Sequence, residues 1–121
     1  MTRGVYITGV SVLSPIGCGY EKFARALQAG VSGGRRITLF DASTFPTRIA
    51  AEVQGFDEQA PFLRLERQRG VYYDGVPAED RKSALGLAAA WNLLDETGPL
   101  QGPVALHLGT GLSSATVREL E

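Results

Sequence analysis

Two continuous apolar runs stand out in the pattern of hydrophobic and polar positions along the chain. Residues 5–8 read Val-Tyr-Ile-Thr and are followed by Gly9, and residues 104–108 read Val-Ala-Leu-His-Leu and are followed by Gly109. Short apolar runs bounded by glycine are typical of strands that are buried on both faces. The pattern therefore predicts one buried strand in each run.

Helical spacing of apolar side chains marks two further segments. From Tyr20, apolar residues and alanines recur every three or four positions until Gly30, which is placed to end a helix. Residues 80–97 repeat more regularly, and small residues dominate their middle. The sequence predicts a helix in each segment, the second in close packing with a sheet or another helix, and the first turns of another helix in residues 114–121.

The segments between these elements are less regular. Residues 10–19 carry Ser, Pro and Gly at intervals and are predicted to form a loop with tight turns. Residues 32–36 are predicted to be a Gly-rich basic turn, residues 37–43 a short strand and a turn, and residues 48–53 an extended segment. Strands and helices in this order indicate an α/β layer.

Residues 56–79 give the least regular pattern. They contain Pro61, Gly70, Gly75 and Pro77 among polar and aromatic positions. Proline and glycine interrupt regular elements, so we expect a long irregular excursion on the surface.

Composition and charge limit the classes of protein to which this chain could belong. A chain of 121 residues with 44% hydrophobic and 21% charged residues has the profile of one globular domain. The net charge of −1 implies neither nucleic acid nor an anionic membrane as a partner. A single cysteine, Cys18, excludes an internal disulfide and a multi-thiolate metal site. No apolar run is long enough for a signal peptide or a membrane span, so we expect a cytoplasmic protein.

Three segments together resemble the opening of the β-ketoacyl-acyl carrier protein synthases. Residues 5–10, followed by Leu-Ser-Pro-Ile-Gly at 13–17, are similar to the family's first strand and its Ser-Pro-Leu-Gly loop. Residues 40–50 read Phe-Asp-Ala-Ser-Thr-Phe-Pro-Thr-Arg-Ile-Ala, which is the most specific of the three segments. The third segment is the alanine-rich helix at 81–98 with the strand that ends in Gly-Thr-Gly at 109–111.

The resemblance implies an α/β fold of the thiolase type, of which residues 1–121 would be an incomplete N-terminal portion of a layered α/β/α/β/α architecture. It implies decarboxylative Claisen condensation of acyl and malonyl thioesters in fatty acid or polyketide synthesis. The family's nucleophilic cysteine and its two histidines have no matching position in this chain, so no catalytic, cofactor-binding or metal-binding residue is assigned, and the chain alone is predicted to be inactive.

The implied partners are an acyl carrier protein and a complementary ketosynthase segment or subunit, in a homodimer or heterodimer. A non-catalytic subunit that resembles a chain-length factor is the alternative, because such subunits share the N-terminal pattern and lack the nucleophile. A scaffold or regulatory remnant is a third possibility. Sheet edges and apolar faces would be exposed in an isolated portion of this fold.

Several residues invite a functional interpretation, and for each we favour a structural one. Cys18 has no base placed beside it by any motif and is expected to be an ordinary packed residue. His107 is expected to be an interior imidazole or to lie on the surface of a sheet. Asp80 and Glu79 are expected to cap a helix and to occupy its first turn.

Other groups of residues are interpreted in the same way. Gly9, Gly17, Gly109 and Gly111 do not follow the spacing of a phosphate-binding loop and are expected to allow close backbone packing. Trp91 and Leu94 are expected to be core residues rather than an interface. The basic cluster is expected to be a solvated face; it consists of Arg64, Arg67 and Arg69.

Overall fold

The computed structural model describes residues 4–70, 80–109 and 111. In these residues the chain forms short strands and longer helices, as a mixed α/β protein. The elements in chain order are β1 (Leu13–Ser14), β2 (Gly17–Cys18), α1 (Tyr20–Gln28), β3 (Gly34–Arg36), β4 (Ile49–Ala51), α2 (Ala60–Arg69) and α3 (Arg81–Thr97). The strands pair as two antiparallel ladders, β1 with β2 and β3 with β4.

The first ladder is a tight hairpin within the predicted loop at residues 10–19. Leu13 pairs with Cys18 and Ser14 pairs with Gly17, and the Ser14 hydroxyl donates a hydrogen bond to the Gly17 carbonyl at 2.8 Å. Gly17 also lies against the start of α1, where a Cβ would stand 2.8 Å from the Phe23 backbone nitrogen. The expectation of close backbone packing is therefore confirmed at Gly17.

The predicted first helix is confirmed as α1. Glu21 and Arg25 form an ion pair one turn apart on its exposed side, with 3.0 Å between the guanidinium and the carboxylate. Ala29 caps the helix, and Gly30 then adopts a left-handed backbone with φ of 67°. Such a conformation favours glycine, and this is why the helix ends where the sequence indicated.

The second ladder joins two segments of which only one was predicted to be extended. Arg35 pairs with Ala50, and the Ile37 N–H extends the pairing to the Arg48 carbonyl at 3.0 Å. The extended segment at 48–53 is confirmed in β4. The basic turn at 32–36 is wrong for its last three residues, because Gly34–Arg36 finds a partner strand in β4 and forms β3. No strand forms at 37–43, where only the turn is confirmed.

The irregular excursion predicted at 56–79 is wrong for residues 60–69, which form α2. Pro61 lies in the first turn of the helix, where its missing N–H costs no intrahelical hydrogen bond. Gly70 ends α2 in the left-handed conformation, with φ of 62°. The remainder of that prediction, residues 71–79, lies outside the described residues, and so does Glu79.

The second predicted helix is confirmed as α3. Asp80 caps it as expected, since its carboxylate accepts hydrogen bonds from the backbone N–H groups of Lys82 and Ser83. Ala84, on the first turns, is fully buried. α3 packs against α2, and this confirms the expectation that α3 packs closely against another element.

The two predicted buried strands are wrong in the described structure. Residues 5–8 and 104–108 form no ladder, and Ile7 and Leu106 are 87% and 78% exposed. An apolar run is buried only where another strand or layer covers it, and the described residues bring none over these runs. The helix predicted at 114–121 lies outside the described residues.

The interior of the described structure is small. Its buried apolar side chains are those of Ala42, Pro61 and Ala84. Trp91 and Leu94, which we expected in the core, are half-buried. Within the described ranges, no helix is both long and apolar enough to cross a membrane.

Candidate functional site

Cys18 and His107 carry the thiol and the imidazole of this chain, two groups that often serve as nucleophile and as general base. The Cys18 thiol is exposed at the end of β2, so the expectation of a packed cysteine is wrong. His107 is also exposed, in a segment that forms no ladder. Neither side chain hydrogen-bonds to another described residue. In residues 4–70, 80–109 and 111, no group of three or more His, Cys, Asp and Glu side chains could hold a metal ion.

The most extensively hydrogen-bonded carboxylate is that of Glu52, directly after β4. It is buried, with 9% of its surface exposed. The Thr38 hydroxyl donates to Oε2 at 2.7 Å, and the Thr38 and Leu39 N–H groups donate at 3.1 and 3.3 Å. The Gln54 amide adds a further hydrogen bond at 3.2 Å. Glu52 therefore fixes residues 38–39 against the end of β4.

The same hydrogen bonds control the protonation of this carboxylate. The Thr38 hydroxyl is the main cause that lowers the pKa of Glu52, and it outweighs burial, which acts in the opposite direction. A lowered pKa in the folded state means that the stabilisation is present above the unfolded pKa and is lost as the pH falls through the folded value. Glu52 is therefore charged at neutral pH and holds its donors as a carboxylate.

Residues 40–46, in the segment that gives the most specific resemblance, form a compact turn next to this carboxylate. The Ser43 N–H and hydroxyl both donate to the Asp41 carboxylate, and the N–H hydrogen bond is the main cause that lowers the pKa of Asp41. Phe40 and Phe45 meet edge to face, with ring centroids 5.4 Å apart. Ala42, which lies between them in the sequence, is buried. The motif thus forms a turn of fixed shape.

A second polar cluster joins α2 to α3. The Arg64 guanidinium donates two parallel hydrogen bonds to the Asp95 carboxylate, at 2.7 and 2.6 Å, and lies 4.4 Å from the centroid of the Trp91 ring. The Trp91 indole N–H donates to the Pro61 carbonyl at 3.1 Å. The guanidinium lowers the pKa of Asp95 through these hydrogen bonds.

This geometry corrects two expectations. Arg64 is not part of a solvated face, because it stacks and pairs between two helices. Arg67 and Arg69 are exposed, as expected of a solvated face. Trp91 is a helix-joining residue rather than a core residue.

A third cluster fixes the first residue of α3. The Arg81 side chain pairs with the Glu58 carboxylate, donates to the Val53 carbonyl at 2.8 Å and lies 5.6 Å from the centroid of the Phe56 ring. The Arg81 and Glu58 side chains are 23% and 27% exposed, so solvent screens the pair only in part. Arg81 therefore ties the start of α3 to the segment that follows β4.

These clusters position segments and do not form an acid–base pair beside a nucleophile. Sequence reasoning missed Glu52, Arg64 and Arg81 because their partners lie 13 to 31 residues away along the chain. One signal was available for Glu52: a single acidic residue follows directly on an apolar strand. The described residues supply a scaffold in which polar side chains set the geometry of loops and helices.

Comparison with known proteins supplies the family. No family model matches the chain. A 3-oxoacyl-acyl-carrier-protein synthase 2 from Coxiella burnetii is 56% identical over 55 residues, which are 46% of this chain and 13% of the relative. A protein named as a granaticin polyketide β-ketoacyl synthase 1 from Streptomyces violaceoruber is 36% identical over 126 residues, which cover 100% of this chain and 28% of the relative. A protein named as a granaticin polyketide β-ketoacyl synthase 2, from the same organism, is 33% identical over 117 residues, which are 93% of this chain and 26% of the relative.

The match therefore extends along the whole chain but spans at most 28% of the length of these relatives. The resemblance seen in the three sequence segments and these identities agree on one group of enzymes. The chain belongs to the β-ketoacyl synthase family.

Proposed function

We propose that this chain is part of a 3-oxoacyl-acyl carrier protein synthase that catalyses decarboxylative Claisen condensation of acyl and malonyl thioesters. The observation that carries the proposal is the match of 36% identity along 100% of the chain to a protein named as a β-ketoacyl synthase. The fold that goes with it is the thiolase-type layered fold, of which residues 1–121 form an incomplete N-terminal part.

In the proposed reaction, a cysteine thiolate attacks the acyl thioester and releases the carrier thiol, leaving an acyl-enzyme. The malonyl thioester then loses carbon dioxide, and the resulting carbanion attacks the acyl-enzyme, forms the new carbon–carbon bond and frees the thiolate. Two histidines assist the decarboxylation and stabilise the developing negative charge. All three side chains would lie outside this chain, and Cys18 and His107 would take no part.

The role of this chain is then structural: its polar side chains fix loops and helices relative to one another. Glu52 fixes residues 38–39 against the end of β4, Arg81 ties the start of α3 to the segment that follows β4, and Arg64 fixes α2 on α3. The proposed partners are an acyl carrier protein and a further ketosynthase segment or subunit, in a homodimer or heterodimer in the cytoplasm.

The second candidate is a non-catalytic subunit that resembles a chain-length factor. It stands beside the first candidate because the identities of this chain to the proteins named as synthase 1 and synthase 2 are similar, 36% and 33%. The catalytic and non-catalytic roles differ at one position, which holds the nucleophilic cysteine only in the catalytic protein, and that position would lie outside this chain in both.

The experiment is a condensation assay on the full-length gene product with an acyl-carrier protein thioester and malonyl-carrier protein. The proposal predicts release of carbon dioxide together with a 3-oxoacyl product, and equal rates for wild type and Cys18→Ser. A protein that forms no product alone, but changes the product chain length when mixed with an active ketosynthase, would support the second candidate. The absence of both results would refute both.

A further inference from the structure

The basic segment at residues 32–36 ends in two arginines to which the proposed function gives no role. Arg35 and Arg36 are both exposed on β3. Among the described residues, neither guanidinium forms an ion pair or a hydrogen bond, and the nearby Asp41 carboxylate accepts from Ser43 instead. Two unpaired cations on a paired strand are available to an acidic groove of another protein.

A threonine follows this arginine pair. The chain reads Arg-Arg-Ile-Thr at 35–38, and Thr38 is exposed. Protein kinases select their substrates by the charge pattern around the acceptor hydroxyl, and an acidic substrate groove favours arginines shortly before it. The other hydroxyl residues between β3 and β4 are also exposed, but none has an arginine two or three positions earlier; they are Ser43, Thr44 and Thr47. The arginine pair therefore distinguishes one hydroxyl of this loop.

The Thr38 hydroxyl also takes part in the hydrogen bonds that Glu52 makes to residues 38–39, which we call the Glu52 clamp. The hydroxyl donates to Oε2 at 2.7 Å, and the N–H groups of Thr38 and Leu39 donate to Oε1 at 3.1 and 3.3 Å. Neither residue makes a backbone–backbone hydrogen bond with another described residue. The two amides therefore depend on the Glu52 carboxylate.

A phosphate on Thr38 would reverse the electrostatics of the clamp. Phosphorylation removes the donating hydroxyl and adds about −1.5 to −2 charges at pH 7. Glu52 is buried and charged at neutral pH, because this hydroxyl is the main cause that lowers its pKa. Like charges in contact repel strongly at a buried site. Arg36, two residues earlier, offers the phosphate a charge-assisted hydrogen bond instead.

We propose that Thr38 is a phosphorylation site for an arginine-directed protein kinase and that phosphorylation opens the Glu52 clamp. In the transfer, Thr38 Oγ forms a bond to the γ-phosphorus of a nucleoside triphosphate. The bond from that phosphorus to the β–γ bridging oxygen breaks, and the nucleoside diphosphate leaves with the oxygen. The catalytic aspartate of the kinase accepts the hydroxyl proton. Residues 38–39 then separate from the end of β4.

Phosphorylation of the full-length gene product tests the site. The protein is incubated with ATP, Mg²⁺ and a purified serine/threonine kinase that selects arginine two and three residues before its acceptor, and the phosphopeptides are mapped by mass spectrometry. We expect phosphate on Thr38, and a rate at least about tenfold lower in the double variant Arg35→Gln, Arg36→Gln, because the charge complementarity is lost.

The matched control is the double variant Arg67→Gln, Arg69→Gln on α2, whose arginines are exposed as well. It should be phosphorylated on Thr38 at the wild-type rate. Absence of phosphate from Thr38, or equal rates for both double variants, overturns the assignment of the site.

Hydrogen exchange measures the opening of the clamp. The amides of Thr38 and Leu39 should exchange at least about tenfold faster after phosphorylation, since a hydrogen bond to a charged group contributes at least that factor. Thr38→Asp, which places a carboxylate beside Glu52, should give the same direction of change. Thr47→Asp, in the same exposed loop, should leave both amides as they are in wild type. Unchanged exchange of the two amides in the phosphorylated protein overturns the opening of the clamp.

Discussion

The close approach of Gly17 to α1 makes the most direct prediction about how the described structure is stabilised. In a Gly17→Ala variant, the added Cβ would stand 2.8 Å from the Phe23 backbone nitrogen and 2.9 Å from the Lys22 carbonyl carbon. Both atoms belong to the helix backbone, so no side-chain rotation can relieve the contact. The hairpin would have to move away from α1.

The change in the free energy of unfolding follows from two opposing effects. Overpacking of this kind costs about 1–3 kcal/mol. Alanine also reduces the conformational entropy of the unfolded chain, and this effect offsets about 0.4–1 kcal/mol of that cost. We therefore expect a net loss of about 1–2 kcal/mol in the free energy of unfolding, which for a chain of this size lowers Tm by roughly 4–8 °C.

Gly86 provides a matched control with the opposite sign. It lies inside α3, and a Cβ there would meet nothing within 4 Å. Alanine is favoured over glycine in a helix interior by about 0.8–1 kcal/mol, so Gly86→Ala should stabilise. Urea unfolding followed by far-ultraviolet circular dichroism measures both. A Gly17→Ala chain that is as stable as wild type, while Gly86→Ala gains stability, would refute the steric reasoning.

Three further predictions concern single side chains. Trp91→Phe keeps an aromatic ring under Arg64 but removes the hydrogen bond to the Pro61 carbonyl. Thermal unfolding should show that the free energy of unfolding falls by about 1 kcal/mol. Asp80→Ala removes a helix cap and should lower the free energy of unfolding by about 0.5–2 kcal/mol at pH 7. Hydrogen bonding lowers the pKa of Asp80 below its ordinary value of 3.8, chiefly through the Ser83 hydroxyl, so stability curves of wild type and variant should converge as the pH falls through the lowered pKa. Cys18→Ser should leave the condensation rate of the full-length protein unchanged, and a large loss of rate would contradict the role assigned to Cys18.

Local signals were sufficient for the helices whose ends carry their own chemistry. α1 and α3 were predicted because apolar spacing, the capping residue Asp80 and the helix-ending Gly30 act within a few residues. α2 was missed because Pro61 was read as an interruption. The same residue in the first turn of a helix is favourable, and sequence alone does not show which position it occupies.

The apolar runs show the limit of reasoning from pattern. Residues 5–8 and 104–108 have the composition of buried strands, yet Tyr6 and Leu108 are 83% and 78% exposed. Composition reports which surface a segment tends to bury, whereas burial also requires a neighbouring element. Among the described residues, no strand or layer covers these two runs.

The polar clusters could not be predicted from the sequence for a related reason. The partners of Arg64 and Arg81 depend on how α2 and α3 pack, and no spacing rule connects Arg64 with Asp95. The family, in contrast, was recognisable from residues 40–50, because a long run of matching residues is specific even when its contacts are unknown.

We propose that this chain is a scaffold part of a ketosynthase whose reactive thiol lies outside residues 1–121. The most direct test is to incubate the full-length gene product with an acyl thioester, digest it and map the acylated peptide by mass spectrometry. We expect one acyl group on a cysteine outside residues 1–121, and we expect malonyl thioester to remove it. Acyl transfer to Cys18 that malonyl thioester reverses would contradict it.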